Sequence, residues 1–328
     1  MCSSDLEDFR IPYGIASYEA NITGYYYTIH TKPSTATTRL GDIKFVNPAF
    51  SLGLRLPFLM STSNLTAIIE PRVKVSHIGG ADNTDKIPNR DASDYRIDEA
   101  NLFLLNRYQG KDYVLPGSRV DVGSSVTSDG GLLGQVSGFL GISRRLSGEA
   151  SNGLNTGQGK SYSDYVGSFS IKPLENLYLR WTGRISSTDL NLNESTTTIN
   201  SSLGNGNLSV THTQLAKAYF SNSNDDREEL SASYSQALPL GWNLSASQIW
   251  DLSYGNQTKK QTSLNLGWNG GEQDCMQITF NYSTDASTDR DIEPINQVSM
   301  TISFKNLGSI SQNLGAMIKS GGKSLINY

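Results

Sequence analysis

Residues 261–269 read QTSLNLGWN, residues 275–283 read CMQITFNYS and residues 297–305 read QVSMTISFK. In each stretch an apolar residue alternates with a small polar one. Leu264, Leu266 and Trp268 share one parity, as do Met276, Ile278, Phe280 and Tyr282, and then Val298, Met300, Ile302 and Phe304. A period of two sends successive side chains to opposite faces of a strand. One face is therefore apolar with aromatic ends, and the other is built of Ser, Thr, Asn and Gln. A soluble sandwich buries such an apolar face against a second sheet, whereas a membrane barrel turns it to lipid and keeps water on the polar side.

Working outward, about 14 strand-like segments follow one another: 22–31, 43–58, 65–77, 118–127, 132–144, 162–172, 176–187, 194–203, 207–220, 229–238, 241–254, 261–269, 275–283 and 297–305. Most are long enough to cross a bilayer when tilted, and longer than the usual strand of a soluble domain. Their connections alternate. Those at 173–175, 204–206, 239–240 and 270–274 are tight, while 79–117, 145–161, 221–228 and 284–296 are long and polar. Short periplasmic turns and longer external loops are the habit of outer-membrane barrels. The expected fold is therefore all-β, an antiparallel up-and-down transmembrane β-barrel over residues 22–308.

Charge placement agrees with that fold. Glu70, Arg72 and Lys74 share one face of their segment, and Arg180 and Arg184 one face of theirs. A charge on the lipid side costs about 2–4 kcal/mol at the midplane, so these five belong to the lumen or its rims. Trp242, Trp250 and Tyr254 mark the two ends of one apolar stripe, where an interfacial belt sits.

Composition bounds the function. The 328 residues carry a formal net charge of -4 and no Lys/Arg run, which excludes a nucleic-acid partner. No apolar run is long enough for a transmembrane helix, which does not bear on barrel strands. His30, His77 and His212 are far apart and fit no metal-ligand spacing, and neither a nucleophile elbow nor a phosphate loop occurs. A non-enzymatic protein without cofactor or metal is expected. Segment 1–21 lies ahead of the first expected strand. Its residues 1–6 read as foreign to the barrel, with the natural start upstream. Residues 309–328 are expected as a periplasmic tail.

The longest connection, 79–117, carries Leu102, Phe103, Leu104 and Leu105. A structureless loop of that length is unusual unless it works as a lid or plug, and its apolar residues require that it fold back onto something.

Three stretches carry a family resemblance. The first is Leu56-Pro57-Phe58 followed by Ile69-Glu70-Pro71-Arg72-Val73. The second runs from Ile87-Pro88-Asn89 through Asn101-Leu102-Phe103 to Asn106-Arg107-Tyr108-Gln109-Gly110 and Asp112. The third runs from Asp274-Cys275 through Asp289-Arg290-Asp291-Ile292-Glu293-Pro294 to Phe304-Lys305-Asn306-Leu307-Gly308. In these the chain resembles the C-terminal barrel half of the lipopolysaccharide-assembly outer-membrane family (LptD, Imp or OstA), with the best agreement in the last 70 residues. The resemblance implies part of a very large barrel in the outer membrane of a Gram-negative bacterium. It further implies an LptE-like lipoprotein plug, a periplasmic lipopolysaccharide bridge reached through an N-terminal domain, and insertion by the barrel-assembly machinery. Lipopolysaccharide would leave sideways into membrane lipid beside the last strand, whose lumen parity carries Gln297, Ser299, Thr301, Ser303 and Lys305. Family members carry a cysteine pair near the start of the penultimate strand. Here Cys275 matches one position and Met276 stands in the other, so Cys275 is the implied bridge to a periplasmic segment. The alternatives are a general porin or substrate channel, a barrel enzyme seeded by His77, and a soluble β-sandwich binding module.

Overall fold

A computed structural model describes residues 2–29, 41–80, 96–108, 114–131, 133–149, 157–216, 226–253, 258–270, 275–285, 295–305 and 308–313. It contains 17 strands, each antiparallel to its neighbour wherever the register is defined. The chain has the all-β, up-and-down architecture of a transmembrane β-barrel. It divides into two compact units.

The first unit holds β1 (Cys2–Ile11), β2 (Gly14–Ile29), β3 (Gly41–Arg55), β4 (Phe58–Ser61), β5 (Leu65–Ile78), β6 (Gly117–Gly130), β7 (Gln135–Gly148) and nearly all of β8 (Tyr165–Leu174). It also takes residues 180–195, which belong to β9 (Leu177–Ile185) and β10 (Leu192–Leu203). β3 and β4 run in turn along β5, interrupted at Leu56-Pro57, so together they make one traverse. Pro57 lacks the amide hydrogen that a ladder needs, which accounts for the interruption.

Cross-strand rows sort the side chains. Leu52, Val75 and Val120 lie side by side, as do Val73, Val122 and Ile142. Leu52, Val75, Val122 and Leu140 are all exposed, although strongly apolar. The opposite face carries the row Ser51, Ser76 and Arg119, the row Gly53, Lys74, Asp121 and Ser143, and the row Ser125, Phe139 and Ser168. Ser51, Ser76, Asp121, Ser143 and Phe139 on that face are buried. Apolar side chains out and polar side chains covered is the inverse of a soluble core, and lipid is the solvent that tolerates it.

The second unit holds β11 (Gly206–Leu215), β12 (Arg227–Ala237), β13 (Trp242–Asp251), β14 (Thr258–Gly270), β15 (Met276–Asp285), β16 (Ile295–Phe304) and β17 (Gly308–Asn313), joined in sequence. Its alternation holds from strand to strand. Leu244, Leu266, Phe280 and Met300 form one apolar row, and Trp242, Trp268, Ile278, Ile302 and Ile310 another. On the other parity Ser209, Ser233, Ser247, Ser263, Ser283 and Gln297 line up across six strands. The next polar row is Asn207, Ser235, Ser245, Asn265, Asn281, Ser299 and Asn313. Trp242 and Trp268 have centroids 6.5 Å apart beside the 3-10 turn Pro239–Gly241, and the Trp268 indole N–H donates to the Leu240 carbonyl at 3.0 Å. Tyr254, expected at the other end of this belt, lies outside the described residues.

Connections alternate as expected. Those at 12–13, 62–64, 131–134, 175–176, 204–205 and 238–241 are tight, whereas 79–116 and 149–164 are long. Three expectations need revision. The described residues form 17 strands where about 14 were read. Segment 1–21 is not outside the sheet, since β1 pairs with β2 from Cys2 opposite Thr23 to Ile11 opposite Gly14. Residues 309–313, read as the start of the tail, belong to β17, and Ile310 lands opposite Ile302. Both additions alternate only weakly themselves, so pairing with a strongly patterned neighbour decides them.

Candidate functional site

The covered face of the first unit is covered by residues 96–108, the centre of the long connection. This strap begins with a locked turn. The Asp98 carboxylate accepts the Asn101 amide at 2.9 Å, the Asn101 side-chain oxygen accepts the Asp98 amide at 2.8 Å, and the Asn101 side-chain NH2 donates to the Arg96 carbonyl at 2.8 Å. Paired Asx bonds of this kind hold a turn without help from a helix or ladder.

The turn presents Ile97 and Leu102, both fully buried, to Phe139 and Val166 on β7 and β8, with Phe103 edge-on to Phe139 at 6.3 Å. Full burial of each aliphatic side chain stabilises by about 1.5–3 kcal/mol. A glycine is required beneath. A Cβ at Gly141 would collide with Leu102 and stand 2.9 Å from the Phe139 ring. Further along, Leu105 packs with Ile78 and Val114, touching Tyr25 and Ala49.

Arg107 fastens the strap. Its guanidinium donates to the carboxylate of Asp121, to Ser143 Oγ at 3.0 Å, to the Leu102 carbonyl at 2.7 Å and to Gln158 Oε1 at 2.9 Å. Asp121 is fully buried on β6 and also accepts from Ser143 Oγ at 2.6 Å and from Arg119 Nε at 3.2 Å. Arg119 in turn donates to the carbonyls of Leu104 and Leu105. Two strap-binding arginines thus share one buried carboxylate, and each also holds strap backbone. Desolvating such ions is tolerable only because their hydrogen bonds are satisfied. A second ionic group lies beside the strap: Arg184 reaches Asp164 at 3.5 Å and Glu194 at 3.2 Å, and Glu194 also meets Arg96 at 3.0 Å.

Of the residues singled out from the sequence, Asn101 and Arg107 are structural keystones of the strap. Asn106 is exposed and accepts the Tyr108 amide at 3.1 Å. Gly110 and Asp112 lie outside the described residues. Glu70 and Arg72 pair at 2.5 Å, Lys74 pairs with Glu19 at 3.0 Å, Arg184 is buried in the group above, and Arg180 is exposed. Lys74 is opposite Asp121 in the register, so the charged parity of β5 is the strap-covered one. Gln297, Ser299, Thr301 and Ser303 share the polar parity of β16, while Lys305 lies in the turn after it and donates its amide to the Cys275 carbonyl at 2.9 Å. β16 is not the last strand, because β17 pairs with it from Ser299 to Phe304. Cys275 is a free, exposed thiol just before β15. Sequence reasoning missed Asp121, Arg119 and Ser143. The signal present was an acid and a base two apart, on one parity of a strand otherwise poor in charge.

A strand sheet with an apolar open face and a polar, charge-bearing face under an inserted strap defines the class: an outer-membrane β-barrel protein. The LPS transport system D family, LptD, matches residues 6–237, and the chain belongs to that family, placed in the Gram-negative outer membrane. Two of the three resembling stretches fall within the match, and the third, 274–308, lies beyond it. No curated protein sequence matches. Among solved structures, the FpvAI–pyocin S2 complex is similar over 92% of this chain and 48% of the other, at 14% identity and a TM-score of 0.39. The chain thus spans about half the length of that protein. OccAB4 of Acinetobacter baumannii is similar over 89% of both chains, at 10% identity and a TM-score of 0.30.

Proposed function

We propose that this chain is the C-terminal barrel part of a lipopolysaccharide translocon, in which the sugar passes along the polar strand face while the acyl chains leave sideways into lipid. The observation that carries the reading is the surface of Ser, Asn, Thr and Gln across β11 to β17, row upon row, with carboxylates (Glu229, Asp251 and Asp285) at its long-loop end. Such a surface exchanges hydrogen bonds with a hydrated glycan at nearly equal energy along its length, so a sugar slides without being trapped. Energy for transport would come from elsewhere. The strap on the first unit would occupy part of that unit's own polar face. The partners in this reading are an LptE-like lipoprotein, the periplasmic bridge, and the barrel-assembly machinery during insertion. Cys275 would bridge to a periplasmic segment. With β17 present, a lateral exit would involve β17 as well as Gln297 to Lys305.

The test is site-specific photocrosslinking in cells. A probe at Ser247 or Ser263 is expected to capture lipopolysaccharide, and one at Leu266 to capture bulk membrane lipid. Equal capture at both parities, or none at the serines, rejects the reading. Ion conductance through the purified chain, unaffected by the lipoprotein, would favour a general porin.

A further inference from the structure

Where Asn106, Arg107 and Tyr108 cross β6 and β7 near the long-loop ends of those strands, they help enclose a cavity of about 50 Å3. Among the described residues four cations line it, Arg107, Arg119, Arg145 and Lys160, against one carboxylate, Glu149. Asp121 sits behind the wall and is shared by the first two arginines. The neighbourhood therefore keeps an excess of positive charge.

Arg145 and Lys160 are the source of that excess. The Arg145 guanidinium donates through Nη1 to the carbonyls of Glu149 at 3.2 Å and Gln158 at 3.3 Å. Lys160 Nζ donates to Thr188 Oγ1 at 2.5 Å. Neutral acceptors orient these cations without discharging them. Arg145 is half-buried, which strengthens its field because little water screens a half-enclosed space, while Lys160 adds its charge from the exposed rim. The volume leaves room for a few waters, or for one tetrahedral oxyanion in their place. Guanidinium forks match phosphate oxygens in geometry as well as charge.

We propose that this cavity is a binding site for a phosphate group, and that its occupant is a phosphate carried on a sugar. The second half rests on the translocon reading above; the first half does not. Arg145 and Lys160 supply the charge, and the fixed Arg107 supplies one wall.

The test uses the full chain refolded in detergent and inorganic phosphate, followed by 31P line broadening at constant ionic strength. Saturable broadening is expected. Binding should fall about tenfold in Arg145→Gln, the scale of one charge-assisted hydrogen bond, and largely survive in Arg145→Lys. Lys160→Gln, at an exposed position, gives the same decision if Arg145→Gln fails to refold. No saturation, or equal affinity in wild type and charge-removing variants, overturns the site. In a second arm, phosphorylated lipooligosaccharide is expected to displace the phosphate and its enzymatically dephosphorylated form is not. Displacement by neither overturns the sugar-phosphate occupant and leaves a free-phosphate site. Intact phosphate binding together with failure of the serine-face crosslinks would reject the translocon reading alone.

Discussion

Arg107 is 5% exposed and Asp121 is 0% exposed, so their ion pair has no water to fall back on. Removing one partner of such a pair strands the other charge, at a cost of about 3–5 kcal/mol. Arg107→Ala and Asp121→Ala are each expected to lower stability by that amount in urea unfolding from detergent. The double variant should cost less than the sum, because the two act as one unit. Leu102→Ala is expected to cost about 2–5 kcal/mol by leaving a cavity over Gly141. Gly141→Ala is expected to cost about 1–3 kcal/mol by overpacking, since its Cβ would push the ends of the Leu102 and Phe139 side chains aside. The importance of Arg107 was partly legible, because its motif stood out in an otherwise polar loop. Its partner was not. Asp121 is 14 residues away along the chain, and only the folding back of the strap joins them.

At the scale of the strand, parity decides what a substitution does. Phe280 lies in the apolar row of β15 and Asn281 in the polar one. Phe280→Arg is expected to destabilise by about 2–4 kcal/mol, and Asn281→Arg to leave stability almost unchanged. A refolding titration into lipid vesicles distinguishes the two, and equal effects would mean that the apolar face does not meet lipid. Strand parity, the tight turns and the long connections were all readable from period and length, because a two-residue repeat is a local property. The first and last described strands were not. β1 and β17 carry mixed patterns, and backbone pairing to β2 and β16 defines them. The strap was readable only as a demand: Leu102 to Leu105 needed a cover, but nothing local named Phe139, Val166 and Ile78 as the residues that supply it.

At the largest scale, the strap ties its loop to the covered face of β5 to β8, and releasing it should uncover that face and let more solute pass along it. Cells whose only copy of the intact parent protein carries Asp121→Ala are expected to admit a large hydrophilic dye that wild-type cells exclude. Unchanged influx at normal protein level would show that the strap does not restrict passage. Belonging to the LptD family places this chain among outer-membrane barrels of lipopolysaccharide transport, while the polar rows and the strap say how its own residues would contribute. By itself the sequence determined that this is an alternating all-β chain with one lipid-compatible face, because side-chain parity follows from backbone geometry at every second residue. It also determined, through charge placed on a single parity, which face stays wet. Only the tertiary structure decided that Arg107 and Arg119 converge on Asp121, that the strap fills part of the wet face, and that β17 covers β16. Those are contacts between residues distant in the chain, and no local period encodes which distant partner a buried charge or an unpaired strand edge will find.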